Sequence, residues 1–212
     1  MTAYTHWNNV AKVGVELEGG DWPDGRNTQG WREDVSVQVD TEDCGEVASP
    51  PYKSKEGLQR WIGRNWPKSF DESCGFHVHC SFNSVNDYAK LLDPGVTGLL
   101  RERFWDWRET KHVRYLLNDR LAGGNRFCQP HFYPQQVYYE EKHNRYTQLN
   151  YCFSLRGTLE CRVFPMFPDG PSVAFKAVET LISLYDDWLI SAVQELIVCS
   201  LSIDESEIEE VL

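Results

Sequence analysis

Two short motifs in the sequence place pairs of potential metal ligands two residues apart. The first contains Glu16 and Glu18, and the second contains His77 and His79. Because residues i and i+2 of a β-strand point to the same face, each pair can present both side chains to one ion. Carboxylate oxygens joined by one or two imidazoles favour Mg²⁺ or Mn²⁺ over Zn²⁺. The spacing therefore predicts a divalent-metal site on a sheet, although histidine pairs also occur on strands that bind no metal.

The polar face of the predicted sheet carries an excess of negative charge. Its alternating segments hold Glu16, Glu18, Asp34, Asp40 and Glu160 with two histidines, one arginine and no lysine. Two carboxylates about 4 Å apart repel by roughly 4 kcal/mol at an effective dielectric constant of 20, whereas a whole domain is stable by only about 5–15 kcal/mol. Raised pKa values or a bound cation must therefore cancel the charge. A solvated sheet face would give the same alternation, but its charges usually have mixed signs.

Two further residues extend this candidate site. Glu46 follows the segment that contains Asp34 and is an additional candidate ligand, although alone it would be read as a surface acid. Arg162 lies two residues from Glu160 and therefore beside it on the same face. An arginine suits a phosphate or carboxylate partner, and a simple ion pair with Glu160 is the alternative.

The elements that must position these residues are predicted from hydrophobic periodicity. A two-residue period predicts strands over residues 13–18, 34–40, 76–82, 150–155 and 158–163. A helical period predicts helices over residues 54–64, 86–92, 95–107, 110–117 and 172–201, the last behind a Ser172 cap. The last two strands are joined by a hairpin-sized connection at Arg156-Gly157, so this pair is expected to be antiparallel. The predicted class is α+β, with helices covering the apolar face of a mostly antiparallel sheet and an acidic cleft on the other face.

One segment has no sustained period. Residues 122–146 contain Gly123-Gly124, two prolines and many aromatic residues, which is typical of a long loop that covers an active site. The chain is otherwise free of repeats and linkers, so a single catalytic domain over residues 1–212 is expected.

Composition restricts the partners and the compartment. The 212 residues include 32 acidic and 21 basic side chains, a net charge of −11 that opposes nucleic acid and anionic membranes as partners. Seven cysteines without a Cys-x-x-Cys pair, and no leader-like N-terminus, favour a reducing cytoplasm. The apolar stretches are too short to span a bilayer, and the oligomeric state is not indicated.

Several motifs, taken in order, resemble those of the amidoligase family, which belongs to the carboxylate–amine ligases with the glutamine synthetase fold. The matching segments are Gly14-Val15-Glu16-Leu17-Glu18, Asp34-Val35-Ser36, Gly45-Glu46-Val47-Ala48-Ser49-Pro50, Cys74-Gly75-Phe76-His77-Val78-His79, Arg114-Tyr115, Arg145-Tyr146-Thr147 and Thr158-Leu159-Glu160-Cys161-Arg162. Each motif alone is weak, and the ordered set is specific. The family's substrates are mostly unassigned, so the resemblance implies a reaction type without a substrate.

The resemblance implies a role for each matching residue. The implied ligands of Mg²⁺ or Mn²⁺, which would bridge ATP phosphates, are Glu16, Glu18, Glu46, His77 and Glu160. The residues expected to contact ATP or substrate are Asp34, His79, Arg114, Lys142 and Asn150. Arg162 and Arg145 are expected to stabilise the transferring phosphoryl group.

The expected reaction is ATP-dependent formation of an amide from a small-molecule or peptide carboxylate and an amine, through an acyl phosphate. Three alternatives stay open at this stage. The same metal face could serve a phosphotransferase that does not ligate, or a nucleotide-binding domain without turnover. A zinc hydrolase is the third alternative, and bound zinc without ATP affinity would favour it.

Overall fold

A single antiparallel sheet organises the part of the chain that the structure describes. The computed structural model describes residues 7–91, 93–125, 128–129, 146–152 and 156–207, with side chains as far as residue 191. The strands are β1 (Val10–Gly19), β2 (Trp31–Arg32), β3 (Gly45–Ala48), β4 (Gly75–Phe82), β5 (Leu149–Cys152) and β6 (Thr158–Pro165). Their order across the sheet is β2-β3-β1-β4-β6-β5, and every neighbouring pair is antiparallel. The predicted α+β class and the antiparallel pairing of the last two strands are confirmed.

Five helices accompany the sheet within these residues. They are α1 (Lys55–Arg64), α2 (Val85–Leu91), α3 (Pro94–Trp105), α4 (Arg114–Ala122) and α5 (Pro171–Glu207). Ser54 caps α1 by accepting a hydrogen bond from the backbone of Gly57. No helix among the described residues is both long enough and apolar enough to cross a membrane.

One buried apolar cluster joins the sheet to the helices. Val13, Val15 and Leu17 of β1 are almost fully buried, as the two-residue period predicts. The same cluster includes Leu181 and Tyr185 of α5. The apolar face of the sheet is therefore covered, and the polar side chains of the same strands must project from the opposite face.

The strand predicted over residues 34–40 is wrong. Asp34 accepts hydrogen bonds from the backbone N–H and the hydroxyl of Ser36, and its carbonyl accepts from Val37 N–H. These bonds fold the segment into a turn that leaves Val35 88% exposed. Short polar side chains compete in this way with sheet hydrogen bonds. The sheet instead ends in two short strands, β3 and β2.

The helix predicted over residues 110–117 begins four residues later than expected. The hydroxyl of Thr110 donates a hydrogen bond to Asp169, and His112 Nδ1 lies 2.8 Å from the same carboxylate. These contacts hold the segment before α4 against the turn that precedes α5. The predicted Ser172 cap is also displaced, because α5 begins at Pro171, whose fixed φ suits the first helical position.

The predicted cover loop lies mostly outside the described residues, and with it Lys142 and Arg145. The described residues on either side of it are joined by hydrogen bonds. Gln129 N–H donates to Tyr146 O at 2.7 Å, and Gln148 N–H donates to Gln129 O at 2.8 Å. The Gln148 side chain also donates to the carbonyls of Arg120 and Leu121 at the end of α4.

Candidate metal centre

Strand register brings the predicted ligands into adjacent rows on the polar face. The register pairs are Glu16 with His77, Glu18 with Glu46, His79 with Glu160, and Asn150 with Glu160. Directly opposed residues of an antiparallel pair have Cβ atoms about 4.5–5.5 Å apart. Residues from five strands, β1, β3, β4, β5 and β6, therefore meet in one cluster.

A β-bulge in β6 places Arg162. Phe164 pairs with Phe76 and Cys161 pairs with Val78, so Arg162 and Val163 together oppose the single residue His77. Arg162 N–H donates to the carbonyl of Gln148 at 2.9 Å. The bulge leaves the Arg162 side chain bonded to Glu160 on the polar face, while Val163 stays fully buried.

The two histidines lie between the glutamates. His77 Nδ1 is 3.5 Å from an oxygen of Glu16 and 3.5 Å from an oxygen of Glu160, and its Nε2 is 3.6 Å from Glu18. His79 Nε2 is 3.4 Å from Glu16 and 3.9 Å from Glu160. The side chains of His77 and the three glutamates are at most 8% exposed.

Two groups of side chains in this cluster are close enough together to hold a metal ion. The first group is Glu16, His79 and Glu160, and the second is Glu18, Asp34 and Glu46. Within each group one ligand atom per residue lies within 4.8 Å of the others. The structure thus places all five acidic residues of the two groups together. His79 and Asp34, to which the family resemblance gave a role in binding ATP or substrate, belong to these groups, whereas His77, an expected ligand, belongs to neither.

The donor chemistry fits a divalent cation. Nδ1 of His77 and Nε2 of His79 are buried and have no hydrogen-bond partner among the described residues. They face carboxylate oxygens at 3.4–3.9 Å without making a hydrogen bond to them, which is uncommon for buried polar atoms. A cation bound by the carboxylates and an imidazole nitrogen would supply the missing interaction.

The electrostatics keep these carboxylates ionised. Burial alone would raise the pKa of Glu16, but the nearby imidazoles of His77 and His79 outweigh it and hold the pKa well below its usual range. Burial is likewise the largest influence on Glu160, yet Arg162 and the imidazoles lower its pKa. For Arg162, burial is outweighed by Glu160 and Glu18, and its pKa is raised. Glu16 and Glu160 are therefore ionised in the folded protein.

Sequence reasoning missed two arginines that neutralise part of the cluster. Arg32 pairs with Glu16 at 2.6 Å and also with Glu46, so it connects the two ligand groups. Arg156 pairs with Glu16 at 3.0 Å. Both lie outside the segments predicted as strands from alternating polarity, so the sequence analysis counted one arginine on the polar face. The position of Arg32 directly opposite Glu46 in the β2–β3 pair follows from register, which the sequence does not display.

A third arginine, Arg120 of α4, is buried beneath the cluster. Its guanidinium donates to the carbonyls of Phe164 and Cys74, each at 3.2 Å. With Glu18, His77 and Arg162 it lines a water-sized pocket. Residue 120 lies beyond the helix predicted over residues 110–117, so the sequence analysis did not identify it as part of the site.

Besides Asp34 and His79, two more of the residues expected to bind ATP or substrate have defined positions. Asn150 donates a hydrogen bond to Glu160 Oε2 at 2.7 Å and so orients a candidate ligand. Arg114 begins α4, where its guanidinium lies 3.5 Å from Asp106, and this ion pair lies apart from those of the cluster. The structure therefore brings Asn150 to the site and gives Arg114 a different partner.

Gly75 is a sensitive point of the site. A Cβ added there would lie 2.5 Å from His77 Nε2 and 3.1 Å from Glu18 Oε2, the oxygen that accepts a hydrogen bond from Gly75 N–H. We expect Gly75→Ala to weaken Mn²⁺ binding about 10-fold or more, since loss of ligand orientation typically costs 10–100-fold. Calorimetric titration with Mn²⁺ measures this. Gly98→Ala in α3, where a Cβ meets nothing within 4 Å, is the control and should bind like the wild type.

Comparison with known proteins does not identify the chain. No protein-family model, no curated protein and no solved structure matches it.

Proposed function

We propose that this protein is an ATP- and divalent-metal-dependent ligase that joins a carboxylate to an amine. The observation that carries the proposal is the pair of ligand groups on one sheet face, Glu16/His79/Glu160 and Glu18/Asp34/Glu46. Two adjacent carboxylate-rich groups suit the paired metal ions of phosphoryl transfer. The ordered motifs that resemble the amidoligase family add the reaction type, with a glutamine synthetase-like fold.

The metal ions would be held by carboxylate oxygens and His79. Bound Mg²⁺ or Mn²⁺ would neutralise charge on the phosphate oxygens and orient the nucleotide. The buried, ionised glutamates supply the negative charge that such ions need. Asn150 fixes one oxygen of Glu160, so the ligand is held in place before an ion arrives.

The first chemical step moves the γ-phosphoryl group of ATP to an oxygen of the carboxylate substrate. A bond forms between that oxygen and the γ-phosphorus, and the bond to the β-phosphate oxygen breaks to release ADP. Negative charge spreads over the phosphoryl oxygens during this transfer. Arg162, which is bonded to Glu160, and the neighbouring Arg120 would stabilise that charge from the water-sized pocket they line.

The second step forms the amide. The amine nitrogen attacks the acyl carbon, the bond from that carbon to the phosphate oxygen breaks, and inorganic phosphate leaves. The amine loses a proton in the process. Water would compete with the amine for the acyl phosphate, so a ligase must exclude it. The segment predicted to cover the site lies outside the described residues, and its role stays a prediction.

ADP release tests the proposal. Purified protein is screened with ATP, Mg²⁺ or Mn²⁺, and panels of carboxylates and amines, and the products are weighed by mass spectrometry. We expect ADP release that requires metal and carboxylate and rises with an amine, together with a product mass equal to the two substrates less one water. Amine-independent ADP release with a stable phosphorylated product would instead indicate a phosphotransferase. Zinc bound at one per chain without ATP affinity would contradict both.

A further inference from the structure

A cavity of about 260 Å³ opens on the polar face beside the first ligand group. Glu16 and His79, which belong to the first ligand group, form one side of the cavity. Lys12, on the same face of β1 as Glu16, lies at the opposite end. The cavity is also lined by Gly14 and by the polar residues Arg32, Ser49, Ser81, Arg156 and Thr158. The cavity is distinct from the water-sized pocket at Arg120 and Arg162.

Gly14, between Lys12 and Glu16 on β1, contributes no side chain to the cavity. Lys12, Gly14 and Glu16 share one face of β1, and register sets Gly14 opposite His79 and Lys12 opposite Ser81. A Cβ at Gly14 would meet Ser49 Oγ at 3.4 Å, an ordinary contact. The Cα atoms of Lys12 and Glu16, four strand residues apart, are about 13 Å from each other. A ligand of a few carbon atoms therefore fits above Gly14.

The charge of the lining indicates an anionic ligand. Lys12, Arg32 and Arg156 contribute three positive charges to the lining, and Glu16 contributes one negative charge. Arg32 and Arg156 are 43% and 49% exposed; both are paired with Glu16, and Arg32 is also paired with Glu46, which lies outside the lining. A metal ion bound to Glu16 would take over that carboxylate, so Arg156 and Lys12 would be available to another anion while Arg32 keeps its pair with Glu46.

The size of the cavity argues against a nucleotide as the occupant. Pockets for drug-sized ligands measure roughly 300–1,000 Å³ and are rich in aromatic side chains. This cavity is smaller, and His79 contributes the one aromatic ring among its described lining residues. Val15, Ala48 and Pro51 supply apolar surface for a short carbon chain, and the hydroxyls of Ser49, Ser81 and Thr158 suit polar groups on a small molecule.

We propose that this cavity binds a small dianionic acid, with one acidic group toward Glu16 and His79 and the other toward Lys12. The further assignment, that this acid is the carboxylate substrate, rests on the proposed function. In that arrangement the carboxylate nearest the ligand group receives the phosphoryl group, and Lys12 and Arg156 select acids with a second negative group. Binding of the acid itself requires no turnover and can be measured alone.

Isothermal titration calorimetry in the presence of Mg²⁺ tests the cavity. The probes are glutarate with two carboxylates, pentanoate with one, and glycerol 3-phosphate as a phosphate dianion. We expect pentanoate to bind about 10- to 100-fold more weakly than a dianion, because a hydrogen bond to a charged group contributes about 1.5–3 kcal/mol. Preference for glutarate or for glycerol 3-phosphate identifies the form of the second acidic group, and either supports the cavity.

Two variants connect binding to the cavity. Gly14→Val places a side chain in the space above β1. We expect it to weaken glutarate binding at least about 10-fold, because a charged group of the ligand would lose a contact. Lys12→Gln at the exposed rim should weaken glutarate but not pentanoate, and it leaves the buried core untouched. Lys176→Gln is the matched control, because Lys176 forms an exposed ion pair with Glu109. It should leave the affinities for glutarate and pentanoate unchanged.

The outcomes separate this inference from the proposed function. Unchanged glutarate affinity in folded Gly14→Val and in Lys12→Gln would overturn the cavity assignment, even if ATP is hydrolysed. Loss of ATP affinity in Gly14→Val, with glutarate affinity intact, would make the cavity a nucleotide site and also overturn it. A third outcome is that glutarate binds, that Gly14→Val weakens this binding, and that the protein never releases ADP. This outcome would support the cavity as a binding site for the acid. It would remove only the assignment of that acid as the substrate of a ligase.

Discussion

Glu16→Gln should lower metal-dependent ADP release at least about 100-fold, because changing even an outer partner of a metal ligand costs about 10–100-fold. Glu16 is the residue through which the cluster is connected. It contacts His77, His79, Arg32 and Arg156, and it belongs to the first ligand group. Glutamine keeps the shape of the side chain but removes its negative charge. Steady-state ADP release and Mn²⁺ titration measure the two effects.

The fold should survive this substitution. Arg32 and Arg156 are about half exposed, so water can solvate their guanidiniums once Glu16 is neutral. Removing one of several close carboxylates also reduces their mutual repulsion. The low pKa of Glu16 nevertheless means that its negative charge stabilises the folded state, so thermal denaturation should show a lower melting temperature than that of the wild type, in a protein that still unfolds cooperatively. Glu109→Gln, in an exposed pair with Lys176, is the control. Wild-type ADP release from folded Glu16→Gln would show that the glutamate cluster is not the catalytic metal site.

Arg162→Lys should lower the rate of ADP release about 100-fold or more, as removal of one charge-stabilising donor does in other active sites. Its effect on ATP affinity should be much smaller. The bulge in β6 aims the Arg162 guanidinium at Glu160 and at the pocket shared with Arg120. A lysine ammonium keeps the charge but cannot span two phosphoryl oxygens. The rate constant and the Michaelis constant for ATP, measured separately, show which of the two changes.

Arg103→Lys provides the matched comparison, because Arg103 forms an exposed ion pair with Asp187 at 3.1 Å. Exposed pairs of this kind contribute about 0–1 kcal/mol to stability. This control should leave both kinetic constants unchanged. If Arg162→Lys instead loses ATP affinity and rate in equal proportion, Arg162 supports the shape of the site through its pair with Glu160 and does not act on the transferring group.

The local part of the site could be predicted from the sequence. The spacing of Glu16 and Glu18, and of His77 and His79, placed each pair on one strand face, and the structure has both pairs on the polar face. The α+β class and the long final helix also followed from local periodicity. These features depend on the backbone geometry of one element, which the order of apolar and polar residues displays directly.

The tertiary structure decided which of these residues are neighbours. Asp34 joins Glu18 and Glu46 from a turn and not from the predicted strand, and a bulge positions Arg162. Arg32, Arg120 and Arg156 enter from an edge strand, a helix and a hairpin connection, so they supply positive charge that the strand pattern did not contain. Cross-strand register and the path of connecting segments depend on contacts between residues far apart in the chain. Periodicity depends only on the residue's own element. It therefore predicted candidate ligands such as Glu16 and Glu160 and the neighbouring Arg162, but not the three other arginines or the cavity.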